Sequence, residues 1–338
     1  MATPLAFDRL VHSDWSIAAD KRWSAVAIRS RTGWLVDRLD HTGEPARFLD
    51  ELFDRSRRTL AGFDFPIGLP ALCPEKAGLE FHQLLLSPLS QRARRFLTPV
   101  ETLFDVSPNR PFYRKHPKGG RHADLWQRLG CTAFDELLRD CDKKTDQRNR
   151  AESIFWTVGA RQVGKAALSG WQDILIPAMA RTARLWPFDG PLASLDSNIL
   201  TLAETYPAEA YHQIGLRRPV GKRSQQGRFV ACHGMLEWAS GHRVSFAAGI
   251  KRSMLNGFGA GGEGEDPFDA VAGLCGMIEV VDGRRAEAPK LTTRIRHQEG
   301  WILGQIELPS KKPSIVPSSL AASLSPHGEE ARERRLEP

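Results

Sequence analysis

Short apolar runs separated by brief polar breaks make up the start of the chain and predict β-strands. The runs cover residues 10–18, 22–29 and 33–39, and Asp14 lies at the centre of the first. Breaks of three residues between such runs are typical of an antiparallel meander. The pattern therefore predicts three consecutive antiparallel strands.

A helix and a fourth strand follow the meander. Apolar residues recur at helical spacing within residues 44–58, and Thr59–Ile67 forms another apolar run that contains one carboxylate, Asp64. A helical connection makes the fourth strand parallel to an earlier one. Pro66 and Pro70 exclude both a strand and a helix, so the chain leaves the sheet just after Asp64. Open α/β sheets bind ligands at this end of their strands. A lone aspartate that caps its own turn is the alternative interpretation.

The composition changes over residues 71–180, which are rich in helical patterns, proline breaks and basic side chains. We expect this segment to be a helical insertion that acts as a lid or substrate arm. Its stretch Arg110–His122 contains five Lys/Arg, two aromatic residues and no acid. Cations that bind phosphates and rings that stack on bases suit single-stranded nucleic acid. A solvated loop explains the same composition equally well.

Two later segments place carboxylates at comparable positions. Residues 198–206 predict a strand that is followed at once by Pro207 and carries Glu204 near its end. Asp266 and Asp269 begin an apolar helix, where a spacing of three residues puts them on one face. Capping explains Asp266 but not Asp269. Residues 309–338 lack aromatic residues and predict a disordered tail, so residues 1–308 are expected to form a single domain.

Composition and charge narrow the class of protein. The 338 residues are 41% hydrophobic and 26% charged, as in an ordinary globular protein. A net charge of +7 favours a polyanionic partner, such as nucleic acid, over an acidic protein. The five cysteines form no CxxC pair, which fits a reducing cytoplasm and argues against a zinc site or a disulfide framework. No signal peptide and no membrane-spanning run is predicted.

Two glycine-rich motifs resemble nucleotide-binding loops without meeting their chemical requirements. Gly159–Ala166 nearly spells a P-loop, but Ala166 stands where a hydroxyl must reach magnesium. Gly257–Gly262 fits GxGxxG, yet Glu263, Glu265 and Asp266 follow it and would repel a pyrophosphate. We therefore expect neither nucleotide hydrolysis nor a dinucleotide site.

Taken together, these carboxylate motifs resemble the RNase H-like superfamily. More closely, the chain is similar to the bacterial domain-of-unknown-function family 429, predicted RNase H-like nucleases related to Holliday-junction resolvases. The matching segments are Gly62–Pro70, Ala203–Pro207 and Asp266–Ala270, with weaker matches at Trp186–Asp189 and Glu299–Gly304. The likeness spans most of residues 10–305. It implies an RNase H-like α/β fold, in which a mixed sheet of three antiparallel strands plus parallel strands is flanked by helices.

The resemblance also implies a carboxylate site that binds Mg²⁺ or Mn²⁺. In the superfamily, the aspartate of the first strand bridges two ions, and later carboxylates complete the site. The resemblance carries this role onto Asp14, the later-strand role onto Asp64 or Glu204, and the late-helix role onto Asp266 or Asp269. All five are therefore candidate catalytic residues, and Asp14, Asp64, Glu204 and Asp269 are the candidate metal ligands. The family usually has a glycine near the first aspartate, whereas this chain has His12-Ser13-Asp14-Trp15.

The expected activity is metal-dependent phosphodiester hydrolysis. Clustered carboxylates need cations to offset their repulsion, and hard oxygen ligands favour magnesium or manganese. The candidates for holding the substrate phosphate are the basic residues Arg114, Lys115, Arg161 and Lys165. The alternative function is a non-catalytic nucleic-acid-binding or interaction module on the same fold. An actin-like ATPase or sugar kinase is a third possibility, but its paired phosphate loops are not evident.

Overall fold

The computed structural model describes residues 4–113, 122–146, 148–155, 157, 163–216 and 220–309. The strands are β1 Arg9–Asp14, β2 Trp23–Ser30, β3 Gly33–His41, β4 Thr59–Phe63, β5 Arg184–Leu185, β6 Leu200–Glu204 and β7 Val244–Phe246. The helices are α1 Pro45–Leu52, α2 Leu72–Ala77, α3 Phe81–Leu86, α4 Gln91–Leu97, α5 His122–Arg128, α6 Val163–Gly170, α7 Ile176–Ala180, α8 Leu192–Leu195, α9 Pro207–Gln213, α10 Gln225–Gly241, α11 Ala248–Leu255 and α12 Glu265–Val281. Apart from Pro309, the predicted tail lies outside the described residues.

The strands form one mixed sheet in the order β5-β6-β4-β1-β2-β3-β7. Strands β1, β2 and β3 pair antiparallel, whereas β4 pairs parallel to β1 and β6 parallel to β4. This confirms the expected meander, followed by a helix and then by a strand parallel to the first. The chain is therefore an α/β protein with a mixed sheet flanked by helices.

Strand β1 is shorter than the apolar pattern predicts. It ends at Asp14 instead of continuing to residue 18. The reason is local: the Trp15 backbone N–H donates to Oδ1 of Asp64 at 2.6 Å instead of to a neighbouring strand. Asp14 thus lies at the strand's carboxyl end, where the side chain of Asp64 also meets it.

Alternating residues of the central strands face two separate apolar cores. Val11, Phe63 and Leu202 pack on one face together with the helices between β4 and β5, and we call this the insertion face. Leu10 and Ala203 pack on the other face with α12, which we call the α12 face. Because side chains alternate along a strand, the face of every residue at the sheet edge follows from these two cores.

Helix α12 packs unusually close to β1. Gly273 lies directly over the buried imidazole of His12, and a Cβ at that position would overlap the ring. A glycine therefore lets the helix backbone approach the strand. Since Asp269 precedes Gly273 by one helical turn, this close packing carries the Asp269 carboxylate toward the carboxyl end of β1.

The described part of the segment between β4 and β5 contains the helices α2–α7. Its described aromatic residues correct one expectation: Phe112 and Tyr113 are 0% and 7% exposed and belong to the core of the insertion face. Phe112 meets Phe96 and Phe155 edge to face. The described rings of the stretch Arg110–His122 thus stabilise the insertion and are unable to stack on bases.

The insertion is anchored to the carboxyl end of the sheet. Nε1 of Trp171 donates to the Pro66 carbonyl at 2.8 Å, just beyond β4. Oγ of Ser169 accepts from Nε1 of Trp15 at 3.2 Å and from Nη2 of Arg22 at 3.1 Å. The chain that follows Asp14 is therefore held in place by α6.

Candidate carboxylate site

The first two carboxylates of the site meet because β1 and β4 are parallel neighbours. Ser13 pairs with Phe63, so the residues that follow them, Asp14 and Asp64, lie side by side. Both continue the α12 face, and the charge of Asp64 contributes to the raised pKa of Asp14. Neighbouring buried carboxylates disfavour full ionisation of the pair.

Asp269 joins this pair from α12. It is buried, and its negative charge acts on both Asp14 and Asp64. Its Oδ2 forms an ion pair with Nζ of Lys222, and its Oδ1 accepts a hydrogen bond from the Tyr211 hydroxyl. Asp269 is thus fixed by one cation and one neutral donor.

Asp266 stands one turn earlier on α12, at the entrance of the site. It is half-buried, and the charges of Lys21 and Lys222 act on it from two sides. Its own charge also acts on Asp14. The structure therefore brings together four of the five predicted catalytic residues, namely Asp14, Asp64, Asp266 and Asp269.

The electrostatics of the cluster favour protonation when no cation is bound. Burial and the neighbouring Asp64 raise the pKa of Asp14 well above its ordinary value of 3.8. Burial raises the pKa of Asp64 from 3.8 to about 6. The pKa values of Asp266 and Asp269 are raised as well, in both cases mainly by burial. Four acids with raised pKa values on one face are typical of a functional site.

Lys222 reaches Asp269 because its backbone is held by Arg228. The guanidinium of Arg228 is fully buried and donates to the Lys222 carbonyl at 2.5 Å. It also donates to the carbonyls of Gly257, Gly259 and Gly261 at 2.8–2.9 Å. The GxGxxG motif therefore forms a loop whose carbonyl groups point at the Arg228 guanidinium. The three glycines adopt the positive φ angles that this loop conformation requires. This loop joins Lys222 to the start of α12.

Glu204 is the predicted ligand that the structure places elsewhere. It pairs with Phe63 across β6 and β4, so it lies on the insertion face. Nη1 and Nη2 of Arg139 donate to its two oxygens at 2.5 and 2.7 Å. Oε2 also accepts from the Ile67 backbone N–H at 2.6 Å. Glu204 anchors the insertion and does not face the aspartates.

A second acidic group surrounds this arginine. In the described part of the chain, Cys141, Asp142 and Glu204 are the three potential metal ligands with atoms within 4.8 Å of one another. Arg139 also donates from Nε and Nη2 to Asp142 at 2.8 and 2.9 Å. Burial raises the pKa of the Cys141 thiol well above its ordinary range. A buried guanidinium already neutralises these carboxylates, so this group does not suit a metal.

Of the four predicted phosphate-binding residues, the structure describes Lys165. Lys165 lies half-buried on α6, four residues before Ser169, and so shares the helix side that packs near Trp15. Arg114, Lys115 and Arg161 lie outside the described residues. Lys222 was not singled out from the sequence, although it belongs to the basic stretch 217–228. Lys222 and its ion-pair partner Asp269 are 47 residues apart in the sequence, so no local sequence pattern indicates the contact.

The four aspartates fit a hard divalent ion. All donors are carboxylate oxygens, the ligands that magnesium and manganese prefer. Their negative charge exceeds that of Lys222 and Lys21, so a dication would relieve the repulsion.

The raised pKa values predict a pH-dependent response to metal. Asp64 titrates at 3.8 when unfolded and at about 6 when folded, so the folded protein binds more protons in this interval. The free energy of unfolding of the metal-free protein therefore falls as pH rises through this window, and Asp14 extends the effect upward. We expect manganese to raise Tm more at about pH 8 than at about pH 5. A saturating ion adds about 2.7 kcal/mol at a hundredfold excess over its Kd.

Thermal melts with and without manganese at the two pH values measure this effect. The Asp64→Asn variant serves as control and should show a smaller shift at about pH 8. A shift of equal size at both pH values would contradict the proton competition.

Comparison of the chain with protein-family models, with curated proteins and with solved structures finds no match. Within the described residues, none of the helices is long and apolar enough to cross a membrane.

Proposed function

We propose that this protein is a metal-dependent phosphodiester hydrolase, a nuclease with an RNase H-like fold. The observation that carries the proposal is the convergence of Asp14, Asp64, Asp266 and Asp269 at one sheet edge, beside Lys222. The strand order β3-β2-β1-β4-β6 and the aspartates of α12 agree with the core that the resemblance implies.

Each residue receives a role from its position. Asp14, Asp64 and Asp269 would hold Mg²⁺ or Mn²⁺, and a bound ion would serve to activate a water and to stabilise the leaving oxygen. Lys222 binds the substrate phosphate, since its side chain is 36% exposed and already faces the carboxylates. Asp266, with its raised pKa at the entrance, transfers a proton to the leaving group. Tyr211 keeps Asp269 oriented.

Two measurements on the wild-type protein test the proposal. The first is cleavage of labelled single-stranded and branched DNA and RNA, with and without manganese. The second is manganese binding by titration calorimetry. Metal-dependent cleavage is expected. If no substrate is cut and no metal binds, the nuclease proposal fails and the non-catalytic binding module becomes the better account.

Lys222→Met separates phosphate binding from metal binding. Loss of one phosphate contact should raise KM more than it lowers kcat and should reduce the slope of log K against log salt by about one. The same change should tighten manganese binding, because Asp269 loses its competing cation. A matched control is Lys251→Met, which removes an exposed lysine of α11. Weaker manganese binding in Lys222→Met would contradict the assigned role.

A further inference from the structure

An aromatic pair continues the row of the sheet that contains Asp14. Asp14 pairs directly with Trp23 on β2, and Trp23 pairs directly with His41 on β3. Directly paired residues of antiparallel strands point to the same face, with Cβ atoms about 5 Å apart. Trp23 packs against the core of the α12 face, so all three side chains lie on the face of the aspartates.

The two rings form a continuous surface. Their centroids are 4.1 Å apart, and their planes are inclined by 40°. Trp23 is half-buried and His41 is exposed, although they lie on the sheet face that α12 covers further along. We call Trp23 and His41 the aromatic shelf.

Positive charge accompanies the shelf. Lys21 is exposed in the turn just before Trp23, and its charge acts on Asp266. Lys222 forms an ion pair with Asp269, whose charge also acts on Asp14. A ring face beside carboxylates for metal and lysines for phosphate offers the contacts that one nucleotide requires: a flat partner for the base and charges for its phosphate.

We propose that the aromatic shelf stacks on a base of the substrate while the adjoining phosphodiester lies over Asp14. This inference rests on the proposed function and specifies its substrate as a nucleic acid with at least one unstacked base. A small phosphoester without a base would leave the shelf unused. The competing account is structural, in which Trp23 only covers the apolar core and His41 covers Trp23.

Binding without cleavage tests the shelf. In an Asp64→Asn background, fluorescence anisotropy compares a labelled 12-nucleotide oligothymidylate with an abasic strand of the same length and charge. Stacking contributes about 1–3 kcal/mol per base, so the base-containing strand should bind on the order of tenfold more tightly. Trp23→Leu and His41→Ala should bring the ratio of the two affinities close to one. Trp23→Phe keeps a ring face and should retain most of the preference.

Phe104→Leu is the matched control, because it removes an aromatic ring that is 81% exposed on the insertion. It should leave the ratio unchanged. If Trp23→Leu impairs folding, His41→Ala still tests the shelf, because His41 is exposed and its replacement should leave the fold intact. An unchanged ratio in His41→Ala, or equal binding of both strands by the parent protein, overturns the shelf.

The outcomes also separate the shelf from the proposed function. Manganese-dependent cleavage by the wild type, together with an affinity ratio insensitive to the shelf variants, removes the shelf alone and indicates recognition by phosphate contacts. Absence of both cleavage and strand binding removes the proposed function, and the shelf with it.

Discussion

Asp64→Asn is expected to abolish manganese-dependent phosphodiester cleavage and to leave the fold intact. The amide keeps the shape of the carboxylate and can still accept the hydrogen bond from the Trp15 backbone N–H. A neutral oxygen holds a dication far less well than a charged one. Loss of residues that merely support metal ligands costs about 10–100-fold, so loss of a ligand should exceed about 100-fold in kcat/KM. The metal-free variant should also melt at a higher temperature at neutral pH, because one repelling charge is gone.

Glu204→Gln is the matched comparison, because it makes the same chemical change at the adjacent strand end. Glu204 is held by Arg139 on the opposite face of the sheet, so cleavage per folded molecule should stay within about threefold of wild type, an effect below those of supporting residues. Assays well below Tm, with circular dichroism to confirm folding, separate activity from stability. Cleavage that persists in Asp64→Asn, or that is lost equally in both variants, would refute the assignment of the site.

Arg139→Ala is expected to cause the largest loss of stability. The change leaves Glu204 and Asp142 buried without their cation and removes the donors to the carbonyls of Ile67 and Glu299. Breaking a buried ion pair from one side costs about 3–5 kcal/mol. Chemical denaturation should show this decrease in the free energy of unfolding. Arg47→Ala, which removes an arginine side chain that is 84% exposed, should change it by less than about 1 kcal/mol.

A second experiment asks whether the cost arises from uncompensated charge. Adding Glu204→Gln to Arg139→Ala neutralises one of the two buried carboxylates that have lost their cation. The double variant should therefore recover part of the free energy of unfolding. If the double variant is instead less stable by the sum of both single effects, the residues do not act as a network.

The sequence pattern is sufficient for the strands of the meander, for β4 and for α12, because alternation, helical spacing and proline breaks are local signals. It also places Asp14, Asp64 and Asp269, since strand ends and helix starts can be recognised without knowing the pairing. The strand pattern does not predict that Glu204 lies apart from the aspartates, because a residue at the end of a strand can lie on either face of the sheet. Only the register of β6 against β4 decides which face a terminal carboxylate occupies.

Long-range partners account for the rest. Lys222 is held near Asp269 by a hydrogen bond from Arg228 to its backbone carbonyl. Arg139 binds Glu204, which lies 65 residues away in the sequence. Composition likewise does not distinguish the buried Phe112 and Tyr113 from rings exposed for stacking. These side chains take their roles from packing, which the local pattern does not contain.

The borders of the sheet also limit how other chains can attach. Strand β5 has two residues and β7 has three, so each outer edge offers only a short row of backbone donors and acceptors. Short edge strands are a common protection against intermolecular strand pairing. Growth of the sheet by a strand from a second molecule is therefore disfavoured along β5 and β7.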